Sequence, residues 1–130
     1  MTRELDAAGH VEKARSFLEE ASAADPNGLP RAMIHVCYYA MYHAVAAALI
    51  AAHGSAPTSH GRAIHKGSAL LAERLGPEGE QAGESIYRAY QLRLLVDYSV
   101  DPDHLVDRAS RLREEAEQVL AACMKLLDGP

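Results

Sequence analysis

Apolar residues in this chain recur at intervals of three and four positions, and nowhere do they alternate strictly as a strand requires. In the first segment Ala7, Val11, Ala14, Phe17, Leu18 and Ala21 keep that spacing, which predicts a helix over about residues 4 to 24. The stretch "DPNG" at 25–28 ends it. Pro30 suits the opening turn of a second helix and Gly54 its end. "GSAPTS" follows as a loop, with Thr58 or Ser59 as the cap of a third helix. Gly76 and Pro77 stop that helix, and a fourth runs over about residues 80 to 97. Asp101, Pro102 and Asp103 read as a cap, a proline at the first position and an acid on the positive end of the dipole. The fifth helix then runs to about residue 127. Its Leu105, Ala109, Leu112, Ala116, Val119, Cys123 and Leu126 form a heptad-like seam, suited either to packing inside the bundle or to a dimer contact. The expected architecture is all-α, an up-and-down bundle of about five helices forming a single domain over 1–130.

Composition narrows the function classes. At 130 residues the chain is large enough for a core without disulfides or metal. A net charge of −5 argues against general affinity for a nucleic-acid backbone, although Arg62, Lys66 and Arg74 make a local basic patch opposed only by Glu73. The two cysteines, Cys37 and Cys123, sit among apolar neighbours without CxxC or zinc spacing, as free thiols in a reducing compartment do. The opening "MTRELDAAGHVEK" lacks an apolar core, and the longest apolar run, near residues 44–52, is too short to span a bilayer. A cytoplasmic protein without a membrane segment is the expectation.

Candidate chemistry concentrates on the second and fourth helices. On a helical wheel Val36, Cys37, Ala40, Met41, Ala44, Val45, Ala47 and Ala48 take one broad side, while Arg31, His35, Tyr38, Tyr39, Tyr42 and His43 share the other. Tyrosine and histidine suit surfaces that are apolar in their body and polar at their tips, so this arc is either a satisfied core or interface or the lining of a cleft. Arg93 and Asp97 lie one turn apart within an arc that includes Ile86, Ala89, Tyr90 and Val96. Charges on a buried face must be paired or used, so these two either bridge or serve a site. His60 shares a face with Ile64, Gly67 and Leu71, and His65 falls on the polar side. All six tyrosines (Tyr38, Tyr39, Tyr42, Tyr87, Tyr90 and Tyr98) lie on the second helix, the fourth, or the end of the fourth. The simplest geometry has those helices share one tyrosine-lined space, with Arg93, Asp97 and His60 at its edge.

In these residues the chain resembles the HEPN superfamily: "YYAMYHA" at 38–44, "TSHG" at 58–61, "RLLVDY" at 93–98, then a long final helix. The resemblance implies a helical bundle that commonly dimerises. It also implies membership of a group containing ribonucleases of toxin–antitoxin or defence systems, nucleotide binders, and partners of small nucleotidyltransferases. The nuclease motif of that superfamily is an arginine followed by a histidine. Arg93 stands at the arginine position, but Asp97 and Tyr98 occupy the place of the histidine.

If cleavage of RNA survives, Arg93 would hold the phosphate, Asp97 would orient it or act as a base, and His60 would supply a missing proton carrier. Tyr98, Tyr90, Tyr38, Tyr42, His43 and Arg31 would be the binding wall for RNA or a nucleotide, with stacking on the rings. A metalloenzyme bundle would need Glu-x-x-His or His-Glu-x-x-His, and neither occurs, so no metal or cofactor is expected. An interaction module would instead use the fifth helix's seam and the small-residue side of the second.

Overall fold

A computed structural model describes residues 5–24, 30–96 and 103–128. Five helices make up the described chain: α1 Ala7–Ala23, α2 Pro30–His53, α3 His60–Leu75, α4 Pro77–Val96 and α5 Asp103–Leu127. No strand occurs among the described residues. The "DPNG" turn, Asp97, Tyr98, Asp101 and Pro102 lie outside them.

Local chemistry sets most boundaries. Asp6 caps α1, its carboxylate accepting from Gly9 N at 2.8 Å. Ser59, not Thr58, caps α3, its hydroxyl accepting from Arg62 N at 3.5 Å. Two expectations shift. α1 starts three residues later than its apolar spacing suggests, because Asp6 fixes the first turn. α4 starts at Pro77 rather than at residue 80, because proline is pre-shaped for a first turn and Glu78 and Glu80 complement the dipole. The chain needs only Gly76, at φ 62°, to turn from α3 into α4.

α2 is the centre of the bundle. It packs on all four other helices, most extensively on α5 and α1. That explains why it is buried nearly all round, from Met33 and Ile34 through Leu49. By length and composition it could cross a bilayer, a reading the 44–52 run alone did not suggest; 67% of its most apolar window is buried inside the bundle. The α5 seam is consumed in the same way: Ala109, Leu112, Ala116, Val119 and Cys123 are all buried. The small side of α2 (Ala40, Ala44, Ala47, Ala48) is also sealed. Neither surface proposed for partner contact is therefore open.

Glycines permit the close crossings around α3. A side-chain carbon at Gly67 would overlap Val45 of α2, and one at Gly79 would overlap the Leu71 backbone carbonyl. At the far ends of α4 and α5, Lys125 Nζ donates to both Glu78 oxygens at 2.8 Å. Both side chains are half-exposed, so this pair contributes little beyond about 0.5 kcal/mol.

Candidate functional site

The polar arc of α2 turns inward onto α1, α3 and α4. Tyr38 is fully buried, and its ring lies within 6.4 Å of those of Tyr39, Tyr42, His60 and Tyr90. Its hydroxyl meets His60 Nδ1 at 2.7 Å. His60 also stacks on Tyr42, centroids 4.0 Å apart at 15°. Arg93 enters from α4, its guanidinium carbon 5.0 Å from the Tyr38 ring centre and 5.4 Å from that of Tyr39. This is cation–π range. The expected shared space of α2 and α4 thus exists as a packed cluster, not as a hollow around Tyr38. Tyr90 reaches Gly61 with its hydroxyl, where a side-chain carbon would lie 3.4 Å away. Tyr87 stands apart, 53% exposed on the outer face of α4.

Arg93 is only partly buried, but its Nε is sealed and lacks a hydrogen-bond partner among the described residues. Burying a donor without a partner costs about 1–3 kcal/mol, so this Nε sets Arg93 apart from the other charged side chains among the described residues. Arg31 is exposed near the start of α2. Seven residues separate it from Tyr38, about 10 Å along the axis. Asp97 and Tyr98 lie outside the described residues.

A second cluster, absent from the sequence reading, joins α1 to α2. His10 Nδ1 lies 2.8 Å from His43 Nδ1, so one nitrogen donates and the other accepts. Phe17 stacks on both His43 and Tyr39, centroids 5.7 Å apart in each case. The signal was present: His10, Ala14, Phe17 and Ala21 recur at helical intervals on one face of α1. No group of three or more metal-ligating side chains occurs among the described residues.

Burial shifts His10, His43, His60, Tyr38 and Tyr42 away from their ordinary values. Burial, aided by His10, Lys13 and His60, lowers His43 to about 4. Burial and then the Arg93 charge lower His60. Burial raises Tyr38 well above its usual value, against a partly opposing pull from Arg93, and burial also raises Tyr42. Tyr38 therefore stays a phenol, and one proton is shared between its hydroxyl and His60 Nδ1, the direction being set by the imidazole tautomer. The cysteines are inert: burial pushes Cys37 and Cys123 up to about 12.

Acid sensitivity follows. The unfolded chain binds a proton at His43 near pH 6.5, whereas the folded chain refuses it until about pH 4. Stability is then fully present above pH 6.5 and falls as pH drops through that window. Allowing for partial solvent screening, the loss from this group is about 1–2 kcal/mol. Urea midpoints measured from pH 7 to pH 4.5 should fall, and should fall less in His43→Phe; parallel curves would remove His43 as the cause.

Open space begins beside the aromatic cluster. Tyr42, with His10, Ala46, Ile50 and the 54–58 segment, lines a cavity of about 510 Å³. The architecture is a five-helix bundle that packs a Tyr–His–Arg cluster between α2, α3 and α4. The family model for the HEPN domain matches residues 7–127, nearly the whole chain. The chain belongs to the HEPN domain family. No curated relative and no solved structure matches it.

Proposed function

We propose that this HEPN chain binds a nucleotide unit, free or within single-stranded RNA, as part of an RNA- or nucleotide-linked stress or defence system, and that it binds without cutting. The observation that carries this is Arg93: a guanidinium laid on two tyrosine rings, its Nε buried and unsatisfied among the described residues, beside a neutral His60. Guanidinium matches phosphate geometry, and the neighbouring cavity wall at Tyr42 offers an aromatic surface for a base.

Binding is favoured over cleavage by proton chemistry. RNA cleavage without metal needs a base for the 2′-hydroxyl and an acid for the leaving oxygen. His60 Nδ1 is engaged by the Tyr38 hydroxyl, whichever of the two donates. Tyr38 holds its proton too tightly to release it near neutral pH, and His43 is a neutral imidazole there, without the second proton an acid would give. Protein contact is a second element of the proposal. Leu94 and Leu95, 42% and 62% exposed, flank Arg93 on α4 and suit a protein partner, with a second copy of the chain the simplest.

The experiment is a titration of the purified chain with nucleoside mono- and triphosphates and short single-stranded RNA, followed by calorimetry and by sedimentation. Saturable binding with the RNA recovered intact is expected, on a species heavier than one chain. Lack of binding to any of these ligands, or turnover of the RNA by clean protein, would overturn the reading.

A further inference from the structure

The first turns of α3 face two ways. His60 points into the aromatic cluster, held by Tyr38 and Tyr42. Arg62 and Lys66, one turn apart, instead line a separate cavity of about 340 Å³ with His53, Ser55, Thr58 and Ser59. That size falls at the lower end of small-ligand sites, about 300–1,000 Å³. No carboxylate lines it. In a chain of net charge −5, a concavity with two fixed cations and three hydroxyls but no acid is a local reversal of sign. Both cations are exposed, so neither is spent on the core. The Ser59 hydroxyl keeps hydrogen-bonding capacity, because its contact to Arg62 N is long at 3.5 Å. These side chains carry the charge, and the N-terminus of α3 adds partial positive charge of the same sign.

The position of the cavity is informative. Ser55, Ala56, Pro57 and Thr58 form one wall of it and also one wall of the Tyr42 cavity. A base against Tyr42 and a phosphate between Arg62 and Lys66 would thus be separated by a single loop.

We infer that the Arg62–Lys66 cavity is a phosphoryl-binding subsite, distinct from Arg93, that takes a phosphate of the nucleotide unit proposed above. The inference rests on that reading for its biological ligand, but its chemistry is testable alone. The phosphate can come from a polyphosphate tail or from the next linkage of an RNA strand. Arg74, the third member of the basic patch, does not line the cavity and takes no part.

Pyrophosphate is the direct probe, measured by calorimetry or by its ³¹P resonance. Wild-type protein should bind it. Arg62→Glu/Lys66→Glu, on exposed positions that leave the core untouched, should weaken it about tenfold to a hundredfold, the size of lost charge-assisted contacts. Arg74→Glu, the same charge reversal on an exposed residue that does not line the cavity, should bind pyrophosphate as wild type does, which assigns the loss to the cavity and not to net charge. Two further arms identify the source. With a polyphosphate tail, a nucleoside triphosphate binds about tenfold tighter than the monophosphate, and the double variant loses that gain. With RNA, affinity rises with strand length, and the double variant flattens the salt dependence by about 1.4, two contacts at about 0.7 each. Failure of wild type to bind pyrophosphate, or equal binding by the double variant, overturns the subsite.

Discussion

Replacing Arg93 with alanine should cost the chain about tenfold to a hundredfold in affinity for a nucleotide or short RNA, while the melting temperature barely moves. The binding loss is that of charge-assisted hydrogen bonds, about 1.5–3 kcal/mol. The small stability change is a difference of two opposed terms. Alanine forfeits the cation–π contacts with Tyr38 and Tyr39, about 0.5–2 kcal/mol. It also removes a sealed Nε that lacks a partner among the described residues, a relief of similar size. Arg93→Lys should fall between, since it keeps the charge and loses the planar fork. A third readout ties the effect to this site. The Arg93 charge helps to hold His60 below its usual value, so Arg93→Ala should move the His60 titration upward in an NMR pH series. Unchanged affinity in a folded Arg93→Ala protein would remove Arg93 from the binding reading.

Gly79→Ala should be the most damaging single methyl in the bundle, lowering the melting temperature by about 5 °C. Gly79 sits in the first turn of α4, and an added carbon would fall inside the contact shell of the Leu71 carbonyl of α3. Backbone cannot swing aside as a side chain can, so one helix must move. Overpacking of this kind costs about 2–3 kcal/mol, and the better helix propensity of alanine returns about 1 kcal/mol at most. For a chain of 130 residues the net is a shift of about that size. Gly83→Ala is the internal comparison. Its carbon would meet the Ser68 side chain at 3.1 Å, a contact a small rotation can ease, so the loss should be smaller. If the two variants melted together with wild type, the close α3–α4 crossing would be wrong.

Much of the site was legible because helical periodicity places residues on faces. The wheel grouped Tyr38, Tyr39, Tyr42 and His43, and the structure brings all of them to one cluster with His60 and Arg93. Periodicity also explains what was missed. It reports which residues share a face, not what that face meets. The wheel leaves the tyrosine arc as either a satisfied core or the lining of a cleft, and only the enclosure of α2 decides that Tyr38 is sealed. His10 was passed over because its partner, His43, is 33 positions away. Tyr87 was grouped with the other tyrosines by sequence neighbourhood, yet it faces outward on α4.

The amino-acid sequence alone determined the class of fold, the order of the helices, a cap at Thr58 or Ser59, and the residues that carry charge and aromatic surface. These depend on neighbours within a few positions, where hydrogen bonds and apolar spacing act directly. Tertiary structure alone decided which groups meet. It sealed Tyr38 rather than exposing it, gave His60 a hydrogen-bond partner, set Arg93 on two rings, and separated Arg62 and Lys66 into a cavity of their own. Those outcomes turn on close approaches between helices distant in sequence, such as Gly67 of α3 against Val45 of α2, and on the burial that follows, which sets each proton's affinity.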